Sequence, residues 1–193
     1  MSADDAASPP LSAERQALLD LPHRPPMRLV EDVVAIVPGE SARTMRVTRP
    51  GDFYFQGHFP DLPVVPAVIL VEMLAQTGGM AACSGSIPAP AGGLRLAALG
   101  EFKFPAAAGP GQVLEATARV AGRAFGLIKV EGEVTADGQC VAAGSLTLAP
   151  GPVRSAEGAI SRRDEAAGTP QAGTTGPSGP PSRAGTTIRR RAR

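Results

Sequence analysis

Hydrophobic and polar positions alternate with a period of two through much of the second half of the chain. Leu114, Ala116, Ala118 and Val120 fall on one side, and Glu115, Thr117 and Arg119 on the other. Ile128, Val130, Gly132 and Val134 likewise oppose Lys129, Glu131 and Glu133. This pattern predicts antiparallel strands with one face in water. Asp137-Gly138 between two such runs predicts a tight hairpin. The stretch PAVILVEMLAQTGGMAAC, Pro66 to Cys83, follows no such alternation. It is apolar almost all the way round and has helical composition, which predicts a helix in the protein interior.

The remaining elements follow from the punctuation. Ser12 to Leu21 reads as a short helix with Ser12 as its N-cap, and the prolines of LPHRPP end it. Met27–Val37 and Ser41–Val47 read as strands separated by the Pro38-Gly39 turn. Phe53, Tyr54, Phe55 and Phe59 cluster around the run GHFPDLP, Gly57 to Pro63. Beyond the apolar helix and the loop SGSIPAPAGG, four strands are expected: Leu94–Phe104, Gln112–Ala121, Phe125–Ala136 and Gln139–Ala149. One apolar helix and a one-faced antiparallel sheet define an α+β fold with the sheet curled around the helix. No alternating βαβ pattern points to α/β.

Composition sets the boundaries. Residues 151–193 contain 12 Gly and Pro in 43 positions and no Leu, Met or aromatic residue. Such a segment buries too little apolar surface to offset its ordering entropy, so it is expected to be a disordered tail. Residues 1–11 are expected to be disordered too, leaving 12–150 as the folded domain. The formal net charge of +1 is uneven: about +5 lies in the tail and −4 in the body. The terminal IRRRAR reads as a solvated basic run, and the body shows no basic surface interleaved with aromatics, so no nucleic-acid partner is expected. The acidic, polar N-terminus does not read as a signal peptide, and the apolar helix is interrupted by Glu72, Gln76 and Gly78-Gly79, so no membrane association is expected. Cys83 and Cys140 lack metal-ligand spacing and read as two small buried apolar residues of a cytoplasmic protein.

Candidate chemistry concentrates in two places. Glu72 lies in the apolar helix, where a carboxylate is costly unless paired, hydrogen-bonded or protonated. His58, one of two histidines in the chain, lies in the loop just upstream. Pro66 suits the first helical position, leaving the Ala67 and Val68 amides free at the positive end of the helix dipole. Those donors suit a carbonyl oxygen that becomes an enolate. Gln76 is one turn from Glu72 and within hydrogen-bonding reach of it. Amides, imidazole and carboxylate together suit proton transfer α and β to a carbonyl.

The stretches LPHRPPMRLVEDVVAIVPG and FYFQGHFPDLPVVPAVILVEMLAQTGG closely resemble the bacterial 3-hydroxyacyl-[acyl carrier protein] dehydratases of fatty acid synthesis. The resemblance spans about residues 12–149. It implies the hotdog fold, an antiparallel sheet wrapped around a long helix. It implies a dehydration that converts a 3-hydroxyacyl thioester on acyl carrier protein to the trans-2-enoyl thioester, with no metal or organic cofactor. By the resemblance, His58 is the catalytic base, Glu72 is the catalytic acid, kept protonated by burial or acting through a water, and the Ala67 and Val68 amides bind the thioester oxygen. Glu at position 72, followed by Ala75-Gln76, favours the plain dehydratase branch over the dehydratase-isomerases. The family forms homodimers, often assembled as trimers of dimers, and draws the histidine and carboxylate of one site from opposite subunits.

Three departures stand out. Ala67 replaces the family's Gly, the turn Gly109-Pro110-Gly111-Gln112 lacks the family's Asp, and Met27-Arg28 replaces a more apolar pair. His23 of LPHR is expected to pin the N-terminal segment against the sheet, and Tyr54 to lie in the core. Arg24, Arg28 and Lys103 read as surface cations that would suit an acidic carrier protein. Two other functions fit the same fold: a hotdog acyl thioesterase, and a catalytically weak paralogue that only binds acyl carrier protein.

Overall fold

The computed structural model describes residues 12–152, which belong to one compact unit. Most of the expected tail and all of the expected disordered N-terminus lie outside the described residues. The elements are α1 (Ala13–Asp20), β1 (Asp32–Val37), β2 (Ser41–Val47), a 3-10 turn at Phe53–Phe55, α2 (Ala67–Ala82), β3 (Leu94–Lys103), β4 (Val113–Ala124), β5 (Leu127–Ala136) and β6 (Gln139–Pro150). The six strands form one sheet in the order β1-β2-β4-β5-β6-β3, with every neighbouring pair antiparallel. It curves around α2 in the hotdog arrangement expected.

The helix seats on the sheet because the strands leave room for it. In register, Ala42 of β2, Ala118 of β4, Gly132 of β5 and Gly144 of β6 form a row of small residues, ending at Phe102 of β3. Directly paired residues share a face. A Cβ built on Gly132 would lie 2.9 Å from Leu74 Cδ1, so this glycine is the floor on which an α2 leucine rests. Gly78 does the same from the helix side, where an added Cβ would lie 2.8 Å from Val130 Cγ1. Met73 and Leu74 are fully buried against Leu114, Val130, Val134 and Leu146. Truncating either to Ala would cost about 2–5 kcal/mol. One polar tie is buried in this contact: Thr77 donates to Met73 O at 2.9 Å, which leaves Thr44 of β2 to donate to Thr77 Oγ1 at 2.7 Å.

The boundaries depart from expectation in instructive places. Pro66 is the N-cap of α2 rather than its first helical residue. The strand expected from Met27 begins only at Asp32, because the preceding backbone is bonded elsewhere: Leu29 N–H donates to the side chain of Gln76 on α2. Phe125 is not in a strand. With φ of 52° for Phe125 and 77° for Gly126, these residues form the two-residue turn between β4 and β5, and Phe125 is fully exposed. The expected Asp137-Gly138 hairpin is present, with φ of 47° and 84°. At the 109–112 turn, where the family's Asp is missing, Gln112 Oε1 accepts from Gly109 N–H at 2.7 Å. Both cysteines are free and half-buried rather than fully buried.

Asp52 is pushed up by burial but held below the ordinary carboxylate range by the Arg49 amide, the Tyr54 hydroxyl and Arg46. Tyr54 is buried, as expected for a core residue; burial and its hydrogen bond to Asp52 push its phenol to about 12.

The turn at Phe125 generates a stability prediction. A bulky residue in the left-handed region is disfavoured, whereas Asn-Gly is the preferred pair for this hairpin turn. Phe125→Asn should raise stability by about 0.5–1 kcal/mol. Urea denaturation would check this, and a loss of stability would contradict the reading of this turn.

Candidate active site

Two sets of chemical groups are built around α2. The first lies at its start. The His58 loop is closed on itself by the Phe59 and Leu62 backbones, which exchange hydrogen bonds of 3.1 and 3.2 Å. Val64 N–H donates to His58 O at 2.9 Å, and His58 Nδ1 lies 3.1 Å from Val64 O. A carbonyl only accepts, so Nδ1 carries the hydrogen, and in the neutral ring Nε2 holds the free lone pair. Phe59 stacks on the imidazole with ring centroids 4.2 Å apart. Val65 N–H is anchored on Ala108 O, which fixes the approach to Pro66. Pro66 O takes the amides of Ile69 and Leu70. Among the described residues no acceptor meets the amides of Ala67 and Val68, and both residues are exposed. The sequence-predicted His58, Ala67 and Val68 therefore sit on one short stretch of chain.

The second set lies further along the helix. Glu72 is half-buried, with 27% of its side chain exposed, and is not sealed in the interior as the apolar sequence around it suggests. Its Oε1 receives Gln76 Nε2 at 3.0 Å and lies 3.2 Å from His23 Nε2. Gln76 is fully buried; its Nε2 also donates to Met27 O at 2.7 Å, and its Oε1 accepts Leu29 N–H at 2.9 Å. Burial pushes the Glu72 carboxyl up. The hydrogen bonds from His23 and Gln76 and the charge of His23 outweigh that and hold it below the ordinary carboxylate value. The expectation that burial keeps Glu72 protonated is thus corrected: its partners favour the charged form.

A cavity of about 450 Å³ opens beside this carboxylate. Its walls include His23, Glu72, Gln76, Cys83, Leu94 and Leu148. From Glu72 to Cys83 it follows α2 for about 16 Å. Its size is that of a small-molecule site. His58 is not among its walls, and no hydrogen bond or ion pair joins it to Glu72 within the chain. Cys83, at the far end, is pushed up by burial against the opposing charge of Arg123. Among the described residues no group of three or more His, Cys, Asp or Glu side chains converges to hold a metal ion, and no helix is long and apolar enough to cross a membrane.

His23 was expected to hold the N-terminal segment to the sheet. It instead meets the helix carboxylate, 49 residues away in sequence. The available signal was its being one of only two histidines in the chain. Of the surface cations, Arg24 Nη1 is engaged by Leu21 O and His23 O, Arg28 is half-buried, and Lys103 lies 3.3 Å from Glu101.

These geometries coincide with a family. A model of the FabA-like domain matches residues 21–145. The 3-hydroxyacyl-[acyl-carrier-protein] dehydratase FabZ of Oleidesulfovibrio alaskensis is 37% identical over 136 residues, which cover 70% of this chain and 88% of that protein. The FabZ dehydratase of Roseiflexus sp. is 36% identical over 130 residues, covering 67% and 90%. Among solved structures, the dehydratase heterocomplex ApeI:P from Xenorhabdus doucetiae shares the fold, with a TM-score of 0.56 at 17% identity over 69% of this chain and 89% of that one. The chain belongs to the FabA-like family, and within it to the 3-hydroxyacyl-[acyl-carrier-protein] dehydratases, which are hydro-lyases.

Gln76 is the tie that holds the second set together. Gln76→Leu would leave the buried Leu29 amide and the Met27 carbonyl without partners. It should destabilise the protein by about 3 kcal/mol in urea denaturation at neutral pH. A change within about 0.5 kcal/mol would contradict this description of the tie.

Proposed function

We propose that this protein removes water from 3-hydroxyacyl thioesters carried on acyl carrier protein, giving trans-2-enoyl thioesters in fatty acid synthesis. The observation that carries this reading is the His58 ring. Its Nδ1–H is committed to Val64 O, which leaves Nε2 with the free lone pair, and the chain runs on within a few residues to a helix start whose first two amides meet no acceptor among the described residues. A base and oxyanion donors on one short stretch of chain suit abstraction of a proton α to a carbonyl.

In this mechanism neutral His58 takes the α-proton at Nε2. The Ala67 and Val68 amides hold the thioester oxygen as negative charge builds on it. Glu72, charged at rest, accepts a hydrogen bond from the β-hydroxyl and holds it in place. The proton just taken by His58 passes to that hydroxyl, the carbon–oxygen bond breaks, and water leaves. Both residues end as they began. The 450 Å³ cavity along α2 takes the acyl chain.

The site is completed by a second copy of the chain. His58 does not line the cavity that holds Glu72, which supports a base drawn from a partner for each carboxylate. Apolar side chains around the His58 loop support this, with Leu62 68% and Val68 72% exposed. So does strand β3, an unpaired sheet edge carrying exposed Leu96 and Leu99. Long exposed apolar edges are covered in stable proteins.

The pure protein is to be incubated with 3-hydroxyacyl carrier thioesters of several lengths, and loss of water followed by mass spectrometry. His58→Ala and Glu72→Gln should each fold by circular dichroism and lose about a hundredfold or more in rate. Near-wild-type turnover in either variant would defeat the mechanism, and release of free thiol in place of the enoyl product would indicate a thioesterase.

Ala67 keeps the amide but adds a methyl group at the first helical residue. Ala67→Gly should preserve or raise activity, most for the longer acyl chains, at a stability cost of about 1 kcal/mol or less. Steady-state kinetics on short and long substrates would check it. A uniform large loss would mean that the Ala67 methyl supports the site.

A further inference from the structure

His23 is held by its surroundings more than it holds them. The segment that carries it is anchored without its help. Leu21 is buried in a cluster with Val30, Val33, Ala42, Met80 and Ala81. Arg24 Nη1 bonds Leu21 O at 2.8 Å and His23 O at 2.9 Å, which fixes the backbone on both sides of Pro22. Downstream, Gln76 clamps Met27 O and Leu29 N–H to α2. The His23 ring adds one polar contact to these, and it is the Glu72 carboxylate. Its other nitrogen, Nδ1, is buried and meets no partner among the described residues. A pin against the sheet would bond a strand, and this ring bonds Glu72 of α2 instead.

The contact is selective at the level of single oxygens. Gln76 Nε2 and His23 Nε2 both approach Oε1 of Glu72, at 3.0 and 3.2 Å. A carboxylate oxygen accepts, so His23 Nε2 carries the hydrogen. No described residue engages Oε2. The carboxylate is half-exposed on the cavity wall, next to His23 and Gln76. Two donors from different elements, one on α2 and one on the loop after α1, fix the carboxylate plane better than one donor on a flexible side chain would.

We propose that His23 is a positioning residue of the active site: its Nε2–H, together with the Gln76 carboxamide, locks Glu72 Oε1 and leaves Oε2 as the oxygen presented to the β-hydroxyl of the substrate. The kinetic part of this inference rests on the dehydratase reading of the site. The hold on Glu72 does not, and it can be measured on the enzyme without substrate. His23 acts through Glu72 and touches no reacting atom. The same contact explains why Glu72 favours its charged form despite partial burial.

The test uses the full chain and two substitutions, His23→Ala and His23→Gln. Glutamine keeps an N–H donor without an imidazole. Carboxyl carbon NMR of Glu72, assigned by comparison with Glu72→Gln, gives its titration in each protein. In His23→Ala the Glu72 titration should move to higher pH, because burial remains while a donor is lost. Turnover number should fall about tenfold or more with KM changed by less than about twofold, as expected for a misplaced catalytic group. His23→Gln should recover most of the turnover. If the alanine variant does not fold, His23→Phe fills the volume without an N–H and takes its place. Wild-type titration of Glu72 and wild-type turnover in the donor-free variant would overturn the proposal. A loss of turnover that His23→Gln does not repair, with Glu72 titrating as in wild type, would overturn it too. A shifted titration in a protein that dehydrates no hydroxyacyl substrate would support the hold on Glu72 and defeat the dehydratase reading alone.

Discussion

The buried carboxamide of Gln76 is the interaction on which the rest of this structure depends. It is one side chain with three partners: Met27 O, Leu29 N–H and Glu72 Oε1. Through the first two it closes the N-terminal segment over α2, and through the third it orients a carboxylate that the helix could not otherwise carry at low cost. An amide buried at this depth is stabilising only when its groups are matched. The strand that would have started at Met27 yields to this tie and begins at Asp32 instead.

The sheet answers the same constraint from the other side. The helix lies against the strands because Ala42, Ala118, Gly132 and Gly144 form a row of small residues and Gly78 faces Val130. That close seating leaves the outer side of α2 for chemistry, with Val68 and Glu72 one turn apart on it. The amides at the helix start and the His58 loop form one half of a site, and the carboxylate, His23 and the cavity form the other. Within a single chain no hydrogen bond or ion pair joins the two halves, and apolar side chains near the first half, Leu62 and Val68, are exposed. Fold, burial and function agree if two copies meet and each supplies what the other lacks.

Much of this was legible in the sequence. Alternation located β4 and β5, Asp137-Gly138 marked the hairpin from β5 to β6, and a carboxylate in an apolar run marked the candidate site. Other features were not, for physical reasons. The turn at Phe125 uses a phenylalanine where Asn or Asp is preferred, so no local signal announces it. Glu72 meets His23, 49 residues away, and periodicity carries no information about contacts at that distance. Burial read from the helix alone argues for a raised carboxyl, whereas His23 and Gln76 together pull it down.

The central claim is that one working site takes His58 from one chain and Glu72 from another. Mixing tests it most directly. His58→Ala and Glu72→Gln, each inactive alone, are combined under conditions that allow subunits to exchange, and dehydration of a 3-hydroxyacyl carrier thioester is followed. If sites are shared, mixed dimers hold one site with both groups intact, and the account predicts activity approaching about a quarter of wild type at full exchange of equal amounts, since half the dimers are then mixed and each has one of two sites restored. No recovery in a mixture shown by native mass spectrometry to contain mixed dimers would contradict it, as would full activity from a wild-type protein that light scattering shows to be monomeric.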